Sequence, residues 1–127
     1  MIRRCSVLFL LLFLLLPGCK STSVSELVTD AAQLVTVDDA SKAYVIAGDV
    51  YESTMRILVQ FRAARQINDP QWRQIERYSQ KVGSAGQKTG VLLKLWRAGA
   101  GRGDFDAAYN ELVSNVTALK TVAAEVQ

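Results

Sequence analysis

Apolar residues recur along this chain in two patterns. Residues 7–16 (VLFLLLFLLL) form an unbroken apolar run with Arg3 and Arg4 just before it. From residue 24 onward the apolar positions fall at helical spacing instead. Val24, Leu27, Val28, Ala31, Leu34 and Val35 mark a short first helix, with Ser23 and Glu26 in a capping-box pattern. The β-branched stretch Val35-Thr36-Val37 and the acidic pair Asp38-Asp39 mark a break, and Thr36 and Asp39 repeat the capping signal.

The next helix is expected over about 38–66. Ala40, Tyr44, Ala47, Tyr51, Thr54, Leu58 and Phe61 alternate spacings of four and three, and Ala43, Val50, Ile57 and Ala64 lie alongside. This wide apolar face suits a bundle core. Gly48 lies inside it, where the close approach of a neighbouring helix would account for a residue that costs up to ~1 kcal/mol of helix propensity. Asn68-Asp69-Pro70 punctuates the chain, with Asp69 expected as the cap and Pro70 at the first helical position. Trp72, Ile75, Ser79, Val82, Gly86, Thr89, Leu93 and Trp96 carry the periodicity on to about residue 98. Three glycines between residues 83 and 90 mark a place where this helix is expected to kink or fray. Residues 99–103 (GAGRG) read as a loop. Asp104 opens a last helix whose inner face is Phe105, Ala108, Tyr109, Leu112, Val116, Leu119, Val122, Ala123 and Val126. Short connections make consecutive helices alternate in direction. The fold expected is all-α, an antiparallel three-helix bundle with an additional short N-terminal helix.

The apolar run of ten residues is too short for a spanning helix, which needs ~20, and suits the central region of an export signal. It ends in Leu16-Pro17-Gly18-Cys19. That tetrapeptide resembles the lipobox of bacterial lipoproteins: an aliphatic residue, a variable one, a small one, then Cys. The resemblance covers residues 1–19 only. It implies that Leu16 and Gly18 are read by signal peptidase II and that cleavage precedes Cys19. Cys19 would then carry a covalent diacylglycerol and an N-acyl chain. Pro17 is a mild departure at the variable position. The implied organisation is a cleaved signal peptide over 1–18, a lipidated tether over 19–25 and a helical bundle domain over 26–127. Lys20 replaces the Asp that in this family commonly marks inner-membrane retention, so the implied place is the outer membrane facing the periplasm.

Charge changes the picture next. The 127 residues carry 15 basic and 12 acidic groups and no His. Losing Arg3 and Arg4 with the signal leaves the processed chain close to neutral, and losing Cys5 leaves Cys19 without a disulfide partner. The remaining charge is unevenly placed: ten basic and two acidic residues lie in 56–102, whereas the segments on either side are acidic. Arg73, Arg77, Lys81 and Lys88 are spaced four, four and seven, a single helical stripe, with Arg56, Arg62 and Arg65 near its start. Such a stripe is either a solvated face complementing acidic neighbours or a contact for an anionic surface.

Other candidate chemistry is thin. Without His there is no imidazole base or metal ligand. Residues 83–89 (GSAGQKT) resemble a phosphate loop only superficially, since Val82 and Gln87 stand where that motif needs Gly. Arg102-Gly103-Asp104 spells an adhesion tripeptide, but Asp104 reads better as a helix cap and Asp106 as a first-turn charge. Ala108 and Tyr109 break the calcium-loop pattern that Asp104 and Asp106 begin. Asp49 and Glu52 share a helix face without a nucleophile or metal partner. Trp72 and Trp96 are too far apart on one helix to share a ligand.

The expectation is a non-enzymatic envelope lipoprotein. It would be held to the membrane by its lipid anchor and bind an envelope protein or cell-wall component. No cofactor, metal, nucleotide or nucleic acid is expected. Two alternatives lead to different observations. A structural membrane-to-wall spacer would be very abundant. A prophage-derived protein for receptor blocking or lysis would be encoded beside holin, endolysin or tail genes.

Overall fold

A computed structural model describes residues 27–126. It is all-helical, with no strand among the described residues. Three long helices form a bundle: α1 (Val37–Ala63), α2 (Asp69–Leu95) and α3 (Phe105–Val126). Leu16, Gly18 and Cys19, the cleavage and lipidation positions implied above, lie outside the described residues, as do the Ser23 and Glu26 capping positions.

α3 is the hub, packing extensively on α2 and also on α1. Its Phe105, Ala108, Tyr109, Leu112, Val116, Leu119 and Ala123 are all buried, as the periodicity predicts. α2 buries Ile75, Val82, Ala85, Thr89 and Leu93. α1 buries mainly small residues, Ala40, Ala43, Ala47 and Thr54, together with Leu58. Buried Thr54 and Thr89 return their hydroxyls to the carbonyls of Val50 and Ala85 on their own helices, so neither is left without a partner. Tyr44 and Tyr51, expected in the core, lie half-buried in the seam between α1 and α2. Tyr44 donates to the Gly86 carbonyl at 2.9 Å, and Tyr51 hydrogen-bonds the Ser79 hydroxyl.

The helix ends follow the local signal at Thr36 and depart from it at the end of α1 and the start of α2. Thr36 caps α1, accepting from the Asp39 amide. α1 stops at Ala63, three residues earlier than expected. Arg65 adopts φ 60°, the Arg65 amide donates to the Arg62 carbonyl, and the Gln66 amide donates to the Phe61 carbonyl. This is a Schellman turn with Arg where Gly is usual, so the sequence carried no stop signal. α2 is capped by Asn68, one residue before the expected Asp69. Asn68 and Gln71 exchange side-chain and backbone bonds in a full capping box. The expected kink at residues 83–90 is absent: α2 runs unbroken through all three glycines. Gly48 is not a close-approach site either. A Cβ there would meet nothing within 4 Å, whereas one on Gly90 would lie 2.8 Å from the Tyr44 hydroxyl. The glycine needed for packing is therefore on α2. The loop after α2 does follow composition, with Gly99, Gly101 and Gly103 all at positive φ.

The described part of the expected N-terminal helix is not an α-helix. Residues 27–30 lack regular structure, and Ala31–Gln33 form one 3-10 turn capped by Asp30. This strap lies against the first turns of α3 and the loop before it. Side chains from these segments take up the backbone groups that an α-helix would have paired internally. Tyr109 donates to the Val28 carbonyl at 2.6 Å, and the Ala31 amide donates to Asn110. Arg102 donates to the carbonyls of Ala31 and Leu34. Buried Ala31 and Leu34 then complete a second core with Ala40, Ala43, Leu93, Phe105, Tyr109 and Val113.

Candidate functional site

The site with chemistry to offer is the outer face of α2. At 100° per residue, Arg73, Arg77, Lys81 and Lys88 fall within an arc of ~80°, opposite the buried Ile75, Val82, Thr89 and Leu93. All four are exposed. Among the described residues none of them makes an ion pair within 4.0 Å. Arg73 reaches only the Asp69 carbonyl, at 3.5 Å, and the Lys81 ammonium lies 5.9 Å from the Tyr78 ring. The stripe is thus a row of cations left to solvent.

The arginines at the end of α1 are used differently. Arg56 pairs with Glu52 on its own helix. Arg62 spans the α1–α2 connection, binding the Asp69 carboxylate and the Ile67 carbonyl and lying over the Trp72 ring. That guanidinium holds the Asp69 carboxyl below its ordinary range. Arg65 is exposed in the turn that follows α1.

The outer face of α2 also has an apolar part. Val91 and Leu95 are 53% and 48% exposed. By the same 100° step, Val91 lies in line with Arg73 and Leu95 with Arg77. The two acidic residues of α2 are Asp69, engaged by Arg62, and Glu76, which lies off the arc of cations.

A shallow groove of about 310 Å³ runs along the α1–α2 seam, lined by Val45, Gly48, Tyr51, Gly83, Gly86 and Gln87 among others. The missing side chains of Gly48 and Gly83 help leave it open. A second, of about 460 Å³, continues along α1 beside Tyr51, Met55 and Val59.

The remaining sequence candidates fall into structural roles. Residues 83–89 are mid-helix, so their amides are spent on helix hydrogen bonds and make no phosphate cradle. The Arg102 guanidinium of the adhesion-like tripeptide is turned inward, onto the strap, the Asp106 carboxylate and the Trp96 ring. Glu52 is taken by Arg56, which separates it from Asp49 as a carboxylate pair. Trp72 packs under Arg62 at one end of the bundle, and Trp96 packs on Phe105 at the other, ring centres 5.5 Å apart. Sequence reasoning missed Arg102 as an anchor. Its glycine neighbours masked it as a loop charge. The only available signal was an Arg four residues before Asp106 at a helix start.

Comparison of the chain with protein-family models, with curated proteins and with solved structures returns no match.

Proposed function

We propose that this chain is a lipid-anchored, non-enzymatic binding module of the bacterial envelope. Its bundle would bind an anionic envelope component through the outer face of α2. The anchor is Cys19, acylated after cleavage at the lipobox Leu16-Pro17-Gly18-Cys19. The helices run antiparallel. Supporting this direction, Tyr44 pairs with Gly86, Tyr51 with Ser79 and Arg62 with Asp69, rising numbers on α1 against falling numbers on α2.

The observation that carries the proposal is the row Arg73, Arg77, Lys81 and Lys88. These are four exposed cations on one face, without ion-pair partners among the described residues. A row that served the fold would be expected to engage carboxylates of neighbouring helices, as Arg62 does with Asp69. Near an anionic surface each cation contributes about 1 kcal/mol.

The test is crosslinking in cells, followed by recovery of the chain and its neighbours. Three forms are compared: wild type, Cys19→Ala, and a fourfold variant R73Q/R77Q/K81Q/K88Q. Neighbours recovered with wild type and lost with both variants support the proposal. A wild-type chain whose mass shows no acyl groups overturns the anchor. Neighbours retained by the fourfold variant overturn the assignment of the contact face.

A further inference from the structure

We infer that the anionic component is the surface of the lipid bilayer itself, and that the outer face of α2 lies along it, with Arg73, Arg77, Lys81 and Lys88 on the headgroups and Val91 and Leu95 entering the interface. The inference rests on the proposed lipid anchor for the position of the membrane. It rests on the structure for the face.

Three observations select a bilayer over a polymer or an acidic protein. First, the cations and the exposed apolar residues are collinear. From Arg73 to Leu95 the face is ~33 Å long, basic for most of its length and apolar at its end. A hydrated anionic polymer rewards the cations but offers no apolar phase for Val91 and Leu95. A bilayer interface offers both, and long basic side chains reach headgroups while their stems lie along apolar surface. Second, neither carboxylate of α2 falls within the arc, since Asp69 is engaged by Arg62 and Glu76 lies off it, so the arc itself carries only positive charge. Third, the apolar end lies where the tether must arrive. Leu27 and Leu34 of the strap share one hydrophobic cluster with Leu92, Leu93 and Trp96 from the C-terminal end of α2, joined through Phe105, Tyr109 and Val113 of α3. From Cys19 to Leu27 is eight residues, a reach of at most ~28 Å. An anchored Cys19 therefore keeps that end of the bundle at the membrane, and the stripe needs only to tilt down onto it. The α1–α2 groove, on another side of α2, is left open to the periplasm.

The experiment places an environment-sensitive dye on a new thiol at Val91→Cys, with Val45→Cys on α1 as the control. The chain is used as cells deliver it, and its mass reads acylation. It is reconstituted into phosphatidylcholine vesicles with and without phosphatidylglycerol. The expected result is a blue shift at position 91 with phosphatidylglycerol only, none at position 45, and loss of the shift in R73Q/R77Q/K81Q/K88Q. Salt at 1 M shortens the screening length to about 3 Å and should also abolish it. The inference is overturned if the dye at position 91 responds equally to both vesicles, or if position 45 responds as strongly. If the mass shows an unacylated Cys19, the anchor proposal has failed by itself. A chain with both native thiols changed to Ser then carries the same dye to the same vesicles, and its response still decides the face.

Discussion

Arg102→Ala should release the strap without unfolding the bundle. The guanidinium donates to the carbonyls of Ala31 and Leu34, binds the Asp106 carboxylate, and lies 5.0 Å from the Trp96 ring centre and 5.9 Å from that of Phe105. Its side chain is 29% exposed, so water can replace part of what is lost. A hydrogen bond from a charged donor contributes roughly 1.5–3 kcal/mol when well shielded. Two of them, discounted for exposure and for non-additivity, leave about 2–3 kcal/mol. The partly exposed pair with Asp106 adds well under 1 kcal/mol. Because the two carbonyls belong to the strap, the loss should be local. Native-state hydrogen exchange is the assay. Protection at the Ala31 and Leu34 amides, which bond Asn110 and the Ala31 carbonyl, should fall about thirty- to a hundredfold at 1.4 kcal/mol per decade. Core amides of α3 around Val116 should change far less. Arg102→Lys should recover less than half of the loss, since one ammonium does not reproduce a fork aimed at two carbonyls. Unchanged protection in Arg102→Ala, or full recovery by Lys, would refute this account of the strap.

Glycine substitutions should divide by location. Gly48→Ala and Gly83→Ala meet open space and should each raise urea stability by about 0.5–1 kcal/mol, while Gly90→Ala should gain nothing, because its methyl displaces the Tyr44 hydroxyl from Gly86. In a Tyr44→Ala background, which removes the ring carbons as well as the hydroxyl, the same Gly90→Ala change should become stabilising, and a penalty that persists there would locate the clash elsewhere. Arg65→Gly relieves a left-handed residue at the end of α1 and should stabilise by about 1 kcal/mol in thermal or urea melts; a neutral or negative effect would deny the strain. Burial pushes the Tyr109 hydroxyl up to about 12, so its contribution is complete below the unfolded-state value near 10 and is lost as pH rises towards 12. Tyr109→Phe should remove that alkaline step and cost about 1 kcal/mol at neutral pH through the Val28 bond, both read from melts across pH. Asp69, held low by Arg62, should titrate below the ordinary carboxylate range by NMR and return towards it in Arg62→Gln; the stability it lends is present above the unfolded-state value and lost as pH falls through its lowered one.

Most of the helical core was legible because a helix has one period, and side chains that must leave water mark it. Every position picked for the inner face of α3 between Phe105 and Leu119 is buried. The misreadings are of another kind. Gly48 and Gly90 look alike in sequence, and which one faces a neighbour depends on the rotation of two helices against each other. Periodicity alone makes Tyr44 an ordinary core residue. In the fold it is a spacer whose hydroxyl crosses to Gly86, and its length is what makes Gly90 necessary. The end of α1 was missed because the left-handed residue is Arg65, chosen by the hydrogen bonds around it rather than by its own preference.

The same division holds for the functional reading. The basic stripe was visible as spacing alone, since exposure of one helix face follows from burial of the other. Its lack of ion-pair partners was not, because that depends on which carboxylates the other helices bring near. The sequence by itself determined three amphipathic helices, their glycine-rich and Asn-Asp-Pro breaks, and a row of cations along the second. Local propensity and the hydrophobic period are enough for that. Only the tertiary structure decided that residues 27–34 become a strap. A short apolar segment could have paired its own backbone as an α-helix, but Arg102, Tyr109 and Asn110 offer it partners. Those partners lie 68 to 81 residues away in sequence. No local pattern could announce them, because the choice is made by groups that meet only after the helices have packed.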